Sequence, residues 1–335
     1  MPIPLRFLPK AMSAIITSLP SPSSPPAQRR ARLIALLRAL APHEGYNATA
    51  LPSVRILRSD RALSRTPVLY DPGIVIVCQG RKRGYFGGEC YLYDEDHYLA
   101  VSVPVPFSME TDATVERPLL ALYLHVDLTI AAELAAQIDR EGGAAPVEAP
   151  RSMMSTPMDE AMHASVLRFV DAMHRPLEAA VLGPALLREL YFRVLTGAQG
   201  GALRSALAMR GQFGRIGRSL HVIHADYARA LDVRRLAAKA GMSVPSFHSH
   251  FKAITHASPM QYLKSTRLHQ ARLLMVRQDL TAEAAAYAVG YTSPSQFSRE
   301  FKRLFGLTPA QEAKRMRASF ALPEPFDGAV FVASH

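Results

Sequence analysis

At 335 residues the chain is long enough for two domains, each with a core of its own. Apolar residues make up 49% and charged residues 20%, which excludes a disordered chain, and no run of about 18 apolar residues offers a membrane span. The net charge of +11 is uneven: residues 203–317 hold 19 Lys/Arg against 6 Asp/Glu, the remainder 20 against 22, so the excess marks the last third as the part that meets a polyanion.

In chain order, residues 1–26 carry Arg6 and Lys10, a short apolar patch from Ala14 to Leu19, then Pro and Ser. With no signal-peptide core or cleavage site they read as a disordered leader, with Met12 as another candidate start. Leu33, Leu36, Leu37 and Leu40 predict a helix over residues 27–40. From about residue 54 to 126, short β-rich runs (74–77, 91–93, 98–103, 119–124) alternate with Gly, Pro and Asp turns, the pattern of an all-β barrel or sandwich. A helix is expected over 127–139 and a loop over 142–151. Two more helices follow over 157–174 and 184–196, started by Pro157 and Pro184 and ended by Pro176 and Gly197, as a hairpin against the barrel or a second subunit. Residues 197–201 read as a hinge into the basic third.

The β region is poor in metal ligands. It offers His97 and His125 without a His-x-His pair, whereas a metal-dependent barrel needs several imidazoles and a carboxylate on one ion. No metal, cofactor or catalytic residue is therefore expected. His221 and His224 share a helix face without identifiable zinc partners. Cys78 and Cys90 are too few for a disulfide framework, which suits a reduced, cytoplasmic compartment. A sensing thiol would need a lowered pKa, for which Arg81, Lys82 and Arg83 lie nearby; a buried cysteine acting as a small hydrophobe is the commoner case. The Arg81-Lys82-Arg83 cluster itself reads as a charged turn between strands, with an anion grip as the alternative.

From Leu231 to Pro309 the sequence repeats itself. Each copy is a short Ala-rich helix, a glycine stop (Gly241, Gly290), a Ser/Thr-rich entry and a second short helix: a helix-turn-helix. Phe247, Phe251, Lys252 and Pro259 recur fifty positions on as Phe297, Phe301, Lys302 and Pro309. The glycines are forty-nine apart and suit a left-handed helix end. Ala237, Ala238, Ala285 and Ala286 are small enough for close helix packing, and the Phe pairs, four apart, anchor each second helix. That turns Ser246, His248, Ser249, Ser295, Gln296, Ser298 and Arg299 outward as groups able to meet base edges, Arg299 and Gln296 foremost, with Lys252 and Lys302 suited to phosphate. Between the copies, Ser258 and Pro259 open a helix running to about Arg277, roughly 28 Å long. Successive major grooves lie about 34 Å apart, so this rod holds two reading heads at a suitable separation.

Two such units on one long helix resemble the DNA-binding domain of the AraC/XylS family of transcription regulators, over about residues 215–318. The second unit carries the resemblance most fully, from Gly290-Tyr291-Thr292-Ser293-Pro294 through Phe305-Gly306-Leu307-Thr308-Pro309. The first part is similar to the cupin-like N-terminal domain of one subgroup. The matching residues are Leu69-Tyr70-Asp71-Pro72, Cys78-Gln79-Gly80-Arg81-Lys82-Arg83 and the stretches 98–104, 116–119 and 189–197.

The resemblance implies an α+β multidomain chain. After the leader come a cupin-like β-barrel with flanking helices and a helical hairpin (27–200), sensory or dimerising, an all-α domain of two helix-turn-helix units joined by a long helix (211–318), and a tail (319–335). The expected function is sequence-specific regulation of transcription, as activator or repressor. Its expected partners are double-stranded operator DNA, RNA polymerase, a small-molecule effector and a second copy of the chain, with no membrane. Two alternatives stay open: a cupin-type isomerase or dioxygenase with an accessory nucleic-acid domain, and a non-specific architectural DNA binder.

Overall fold

The computed structural model describes residues 26–142, 148–208 and 211–319. The expected leader and tail lie outside the described residues, except that Pro26 opens the first helix and Ser319 closes the last. Helix α1 (Pro26–Leu40) buries Leu33, Leu36 and Leu37. Among the described residues ten strands follow: β1 (Gly45–Ala48), β2 (Val54–Ser59), β3 (Leu63–Tyr70), β4 (Gly73–Gln79), β5 (Arg81–Phe86), β6 (Glu89–Asp94), β7 (His97–Val101), β8 (Val105–Asp112), β9 (Leu119–His125) and, after helix α2 (Leu128–Glu141), β10 (Met153–Pro157). They form an antiparallel six-stranded sheet, β1-β2-β9-β4-β7-β10, and a four-stranded sheet, β3-β8-β5-β6.

Strand alternation explains the two layers around the first sheet. On β4, Val75 and Val77 join the core between the sheets, while Ile74, Ile76 and Cys78 face a second core under the helices. Helices α3 (Glu160–Met173), α4 (Pro176–Val181), α5 (Gly183–Thr196) and α6 (Gly200–Leu207) build that second layer with α1 and α2. Between the sheets the barrel is filled by aromatic rings, Tyr70 standing edge-on to Phe107 at 4.7 Å and to Tyr123 at 5.9 Å.

Several expectations are corrected. Residues 81–83 are not a turn but the start of β5, whose alternation turns Lys82 inward; burial pushes its amine down to about 7. Pro157 ends β10 instead of opening a helix, and α3 begins after Asp159, whose side chain accepts the Met162 N–H. Pro176 ends α3 and also opens α4. The expected hinge is absorbed in part, because Gly200 and Gly201 belong to α6.

Among the described residues the C-terminal region is helical: α7 (Gly211–Asp226), α8 (Val233–Ala240), α9 (Val244–Thr255), α10 (Pro259–Arg277), α11 (Ala282–Ala288), α12 (Pro294–Phe305) and α13 (Pro309–Ser319). The inter-sheet core continues into this region through Phe247, Phe251, Tyr262 and Leu263, while α11 and α12 share a separate core with the far half of α10. Tyr262 donates its hydroxyl proton to the Pro104 carbonyl at 2.9 Å, and Arg272 reaches the Pro67 carbonyl at 3.3 Å. The second sheet therefore lies along α10.

Candidate nucleic-acid interface

Both units are set by local caps. Asp232 accepts the Arg235 N–H at 2.8 Å to start α8, and Gly241 ends it at φ 64°. Thr281 starts α11 the same way, Gly290 follows its end at φ 86°, and Ser293 accepts the Gln296 N–H to start α12. The rod α10 opens with a capping box of Ser258 and Gln261 and runs for 19 residues, as the sequence predicts.

The four phenylalanines are wholly buried, and Ala237, Ala285 and Ala286 sit in the helix contacts. Ala238 is exposed instead, and Leu236 fills the buried place that Ala285 holds in the second unit. With the phenylalanines inward, His248, Ser249, Lys252, Ser295, Gln296, Arg299 and Lys302 are exposed, and Ser246 and Ser298 half-buried. Two of these are already engaged. Ser246 Oγ lies 3.3 Å from His250 Nδ1, and Gln296 Nε2 donates to Glu300 at 3.2 Å.

Sequence reasoning missed the groups that hold α12 in place. Glu300 collects Lys264 at 2.9 Å and the Tyr291 hydroxyl at 2.8 Å, contacts that keep its carboxyl below the usual range against the opposing effect of burial. Arg267 donates to the carbonyls of Tyr227, Arg229 and Gly290, tying the end of α7 to the turn of the second unit. Only the Gln296–Glu300 spacing is visible in local sequence; Lys264 and Arg267 act across 36 and 23 to 40 positions. Arg234, Arg235, Lys239 and Arg303 add exposed positive charge beside the two units.

Elsewhere the thiol expectation does not fit Cys78: burial pushes it up to about 12, away from the thiolate that sensing needs. Cys90 is exposed. His97 pairs with Asp94 at 2.9 Å, and His224 is buried against the Tyr262 hydroxyl at 2.8 Å.

Two family models match the chain: "AraC-type transcriptional regulator N-terminus" over residues 50–202 and "Helix-turn-helix domain" over 236–315. Among curated proteins it is 36% identical over 91 residues to the HTH-type transcriptional regulator AlkR of Acinetobacter baylyi, covering 27% of this chain and 30% of that one. It is 36% identical over 88 residues to the RCS-specific HTH-type transcriptional activator RclR of Escherichia coli, covering 26% and 31%. The chain thus spans about a third of the length of these relatives. Among solved structures, unsaturated fatty acid-bound ToxT of Vibrio cholerae superposes with a TM-score of 0.54 at 12% identity, covering 84% of this chain and 100% of that one. At that identity the likeness concerns the fold.

Proposed function

Because the chain belongs to the AraC-type transcriptional regulators, carrying both the N-terminal module and the helix-turn-helix region, we propose that it binds operator DNA sequence-specifically and is controlled through its N-terminal domain. The carrying observation is the outward face of α12. Arg299 and Lys302 are exposed there, beside Ser295 and Gln296, on a helix whose opposite face is locked by Phe297, Phe301 and Phe305. An arginine projecting from such a helix suits guanine, and a nearby lysine suits phosphate. The corresponding face of α9 offers Ser246, His248, Ser249 and Lys252. The lone positive surplus of the chain lies in this region, so the electrostatic and the reading surfaces coincide.

The N-terminal domain contributes control in this reading, through a small-molecule effector, a second copy of the chain, or both, and RNA polymerase is the further partner of a regulator bound at a promoter. Selection of bound duplexes from a random pool by the full chain tests the proposal. The expected result is one motif in two half-sites about one helical turn apart. Recovery of unenriched sequence would instead identify a non-specific architectural binder.

A further inference from the structure

We infer that the cleft between α1, β4 and α3 is a binding site for an uncharged, largely apolar small molecule. The inference rests on reading the N-terminal domain as the controlling half, and it gives that half a site and a ligand class. The cavity measures about 600 Å³. Ile76 and Cys78 of β4 form its floor, Ala31 and Ile34 of α1 one wall, Val166 and Leu167 of α3 the other. That volume lies within the range of small-molecule pockets, about 300–1,000 Å³, and the lining is apolar as theirs is. The space between the two sheets differs, since it is packed with Tyr70, Phe107 and Tyr123.

The charges at the mouth are paired with one another. Arg29 binds Glu160, Arg30 binds Glu95 at 3.2 Å and Asp96 at 2.8 Å, and one His163 ring N–H donates to a backbone carbonyl, from Nδ1 to Asp159 at 2.9 Å or from Nε2 to Glu95 at 3.2 Å. On the floor the Cys78 thiol stays protonated. An ionised ligand would lose its hydration here without gaining a counter-ion, whereas an apolar body loses nothing by entering.

The test is titration of the full chain with N-phenyl-1-naphthylamine, an uncharged aromatic amine that fluoresces in apolar surroundings. Saturable one-to-one binding is expected, with its anionic relative 8-anilinonaphthalene-1-sulfonate weaker by about ten-fold or more. Ala31 is exposed on the wall, so Ala31→Phe should fill the cleft and abolish binding without changing the melting temperature; Ala27→Phe on the same wall replaces it if that temperature falls. Ala180→Phe on α4 should leave binding intact. The inference is overturned if the wild-type chain binds no neutral probe, as it would were residues 1–25 or a second copy seated in the cleft. Equal binding by the filled variants, or tighter binding of the anionic probe, also overturns it. Duplex selection with the same proteins keeps the two readings apart: loss of DNA preference with probe binding retained removes the regulator reading alone, and the converse removes only the cleft.

Discussion

Arg299 and Lys302 lie three residues apart on α12 and are both exposed, yet their chemistry separates them. A guanidinium forks onto the two acceptors of a guanine edge, while an ammonium acts as a point charge. Arg299→Ala should therefore relax preference at one base pair and cost about 1–3 kcal/mol on the selected operator. Lys302→Ala should weaken all duplexes alike and flatten the salt dependence by about one unit of slope. Equal losses for both on every sequence would contradict these roles. A second residue, Asp71, tests the domain contact through pH. It is buried beside Tyr123 and Tyr262, its Oδ1 has no partner among the described residues, and burial raises its carboxyl to about 7. An exposed aspartate titrates near 4, so between about pH 4 and 7 the unfolded chain releases a proton that the folded one keeps. Stability from this group is full below that window and lost as pH rises through it, on the order of 4 kcal/mol in all. Asp71→Asn should gain stability over wild type at pH 8 relative to pH 5 in denaturant titrations; parallel profiles would refute it.

At the scale of elements, the two turns look alike in sequence and differ in surroundings. Both glycines take positive φ, but a Cβ on Gly241 meets open space, whereas one on Gly290 would lie 2.3 Å from the Ala228 carbonyl oxygen. Gly241→Ala should cost about 1 kcal/mol, the left-handed penalty alone, and Gly290→Ala about 3 or more, because backbone must move as well. Equal melting temperatures for the two variants would show that the second turn yields. The repeat itself was legible because its signals are local: caps, glycine stops and Phe pairs four apart decide the helices before any tertiary contact forms. The barrel was half legible for the same reason. Strands β4, β7 and β9 announce themselves as apolar runs, while β3 carries Ser64, Arg65, Thr66 and Pro67, and β5 carries three successive basic residues. Pairing across the sheet fixes those, and no local pattern encodes it. Pro157 misled because β10 is an edge strand, where a missing N–H costs no ladder bond. Of the candidate site, the outward residues followed from the Phe spacing; Arg267 and Lys264, which position the second unit from across the fold, left no such trace.

For the whole molecule the decisive contact is the one between barrel and rod. Tyr262 has one hydroxyl proton and gives it to the Pro104 carbonyl, so His224 Nε2 must be the donor in their 2.8 Å contact. This places a proton on Nε2, while burial, with His221 beside it, pushes the imidazole down to about 3. Farther along, Arg272 joins the Pro67 carbonyl, Glu312 at 3.3 Å and the face of Phe305, while Ser152 holds the Ile254 carbonyl at 2.7 Å. The first unit, the rod and the second unit are thus all tied to the N-terminal domain or to a residue that touches it. In the proposed function such a layout would give the N-terminal domain leverage over the spacing of α9 and α12, and so a route to control of DNA binding. It also predicts joint unfolding, because the inter-sheet core and the first unit are one packed body. Tyr262→Phe keeps the ring but strands a carbonyl and an imidazole N–H, a cost of about 1–3 kcal/mol. Since the bond to Pro104 crosses the boundary, the loss should also uncouple the halves. Tyrosine fluorescence, weighted toward the barrel, and helical circular dichroism, to which both halves contribute, should follow one transition in wild type, whereas the variant's circular dichroism should split into two. Coincident transitions in Tyr262→Phe would place the coupling in apolar packing alone.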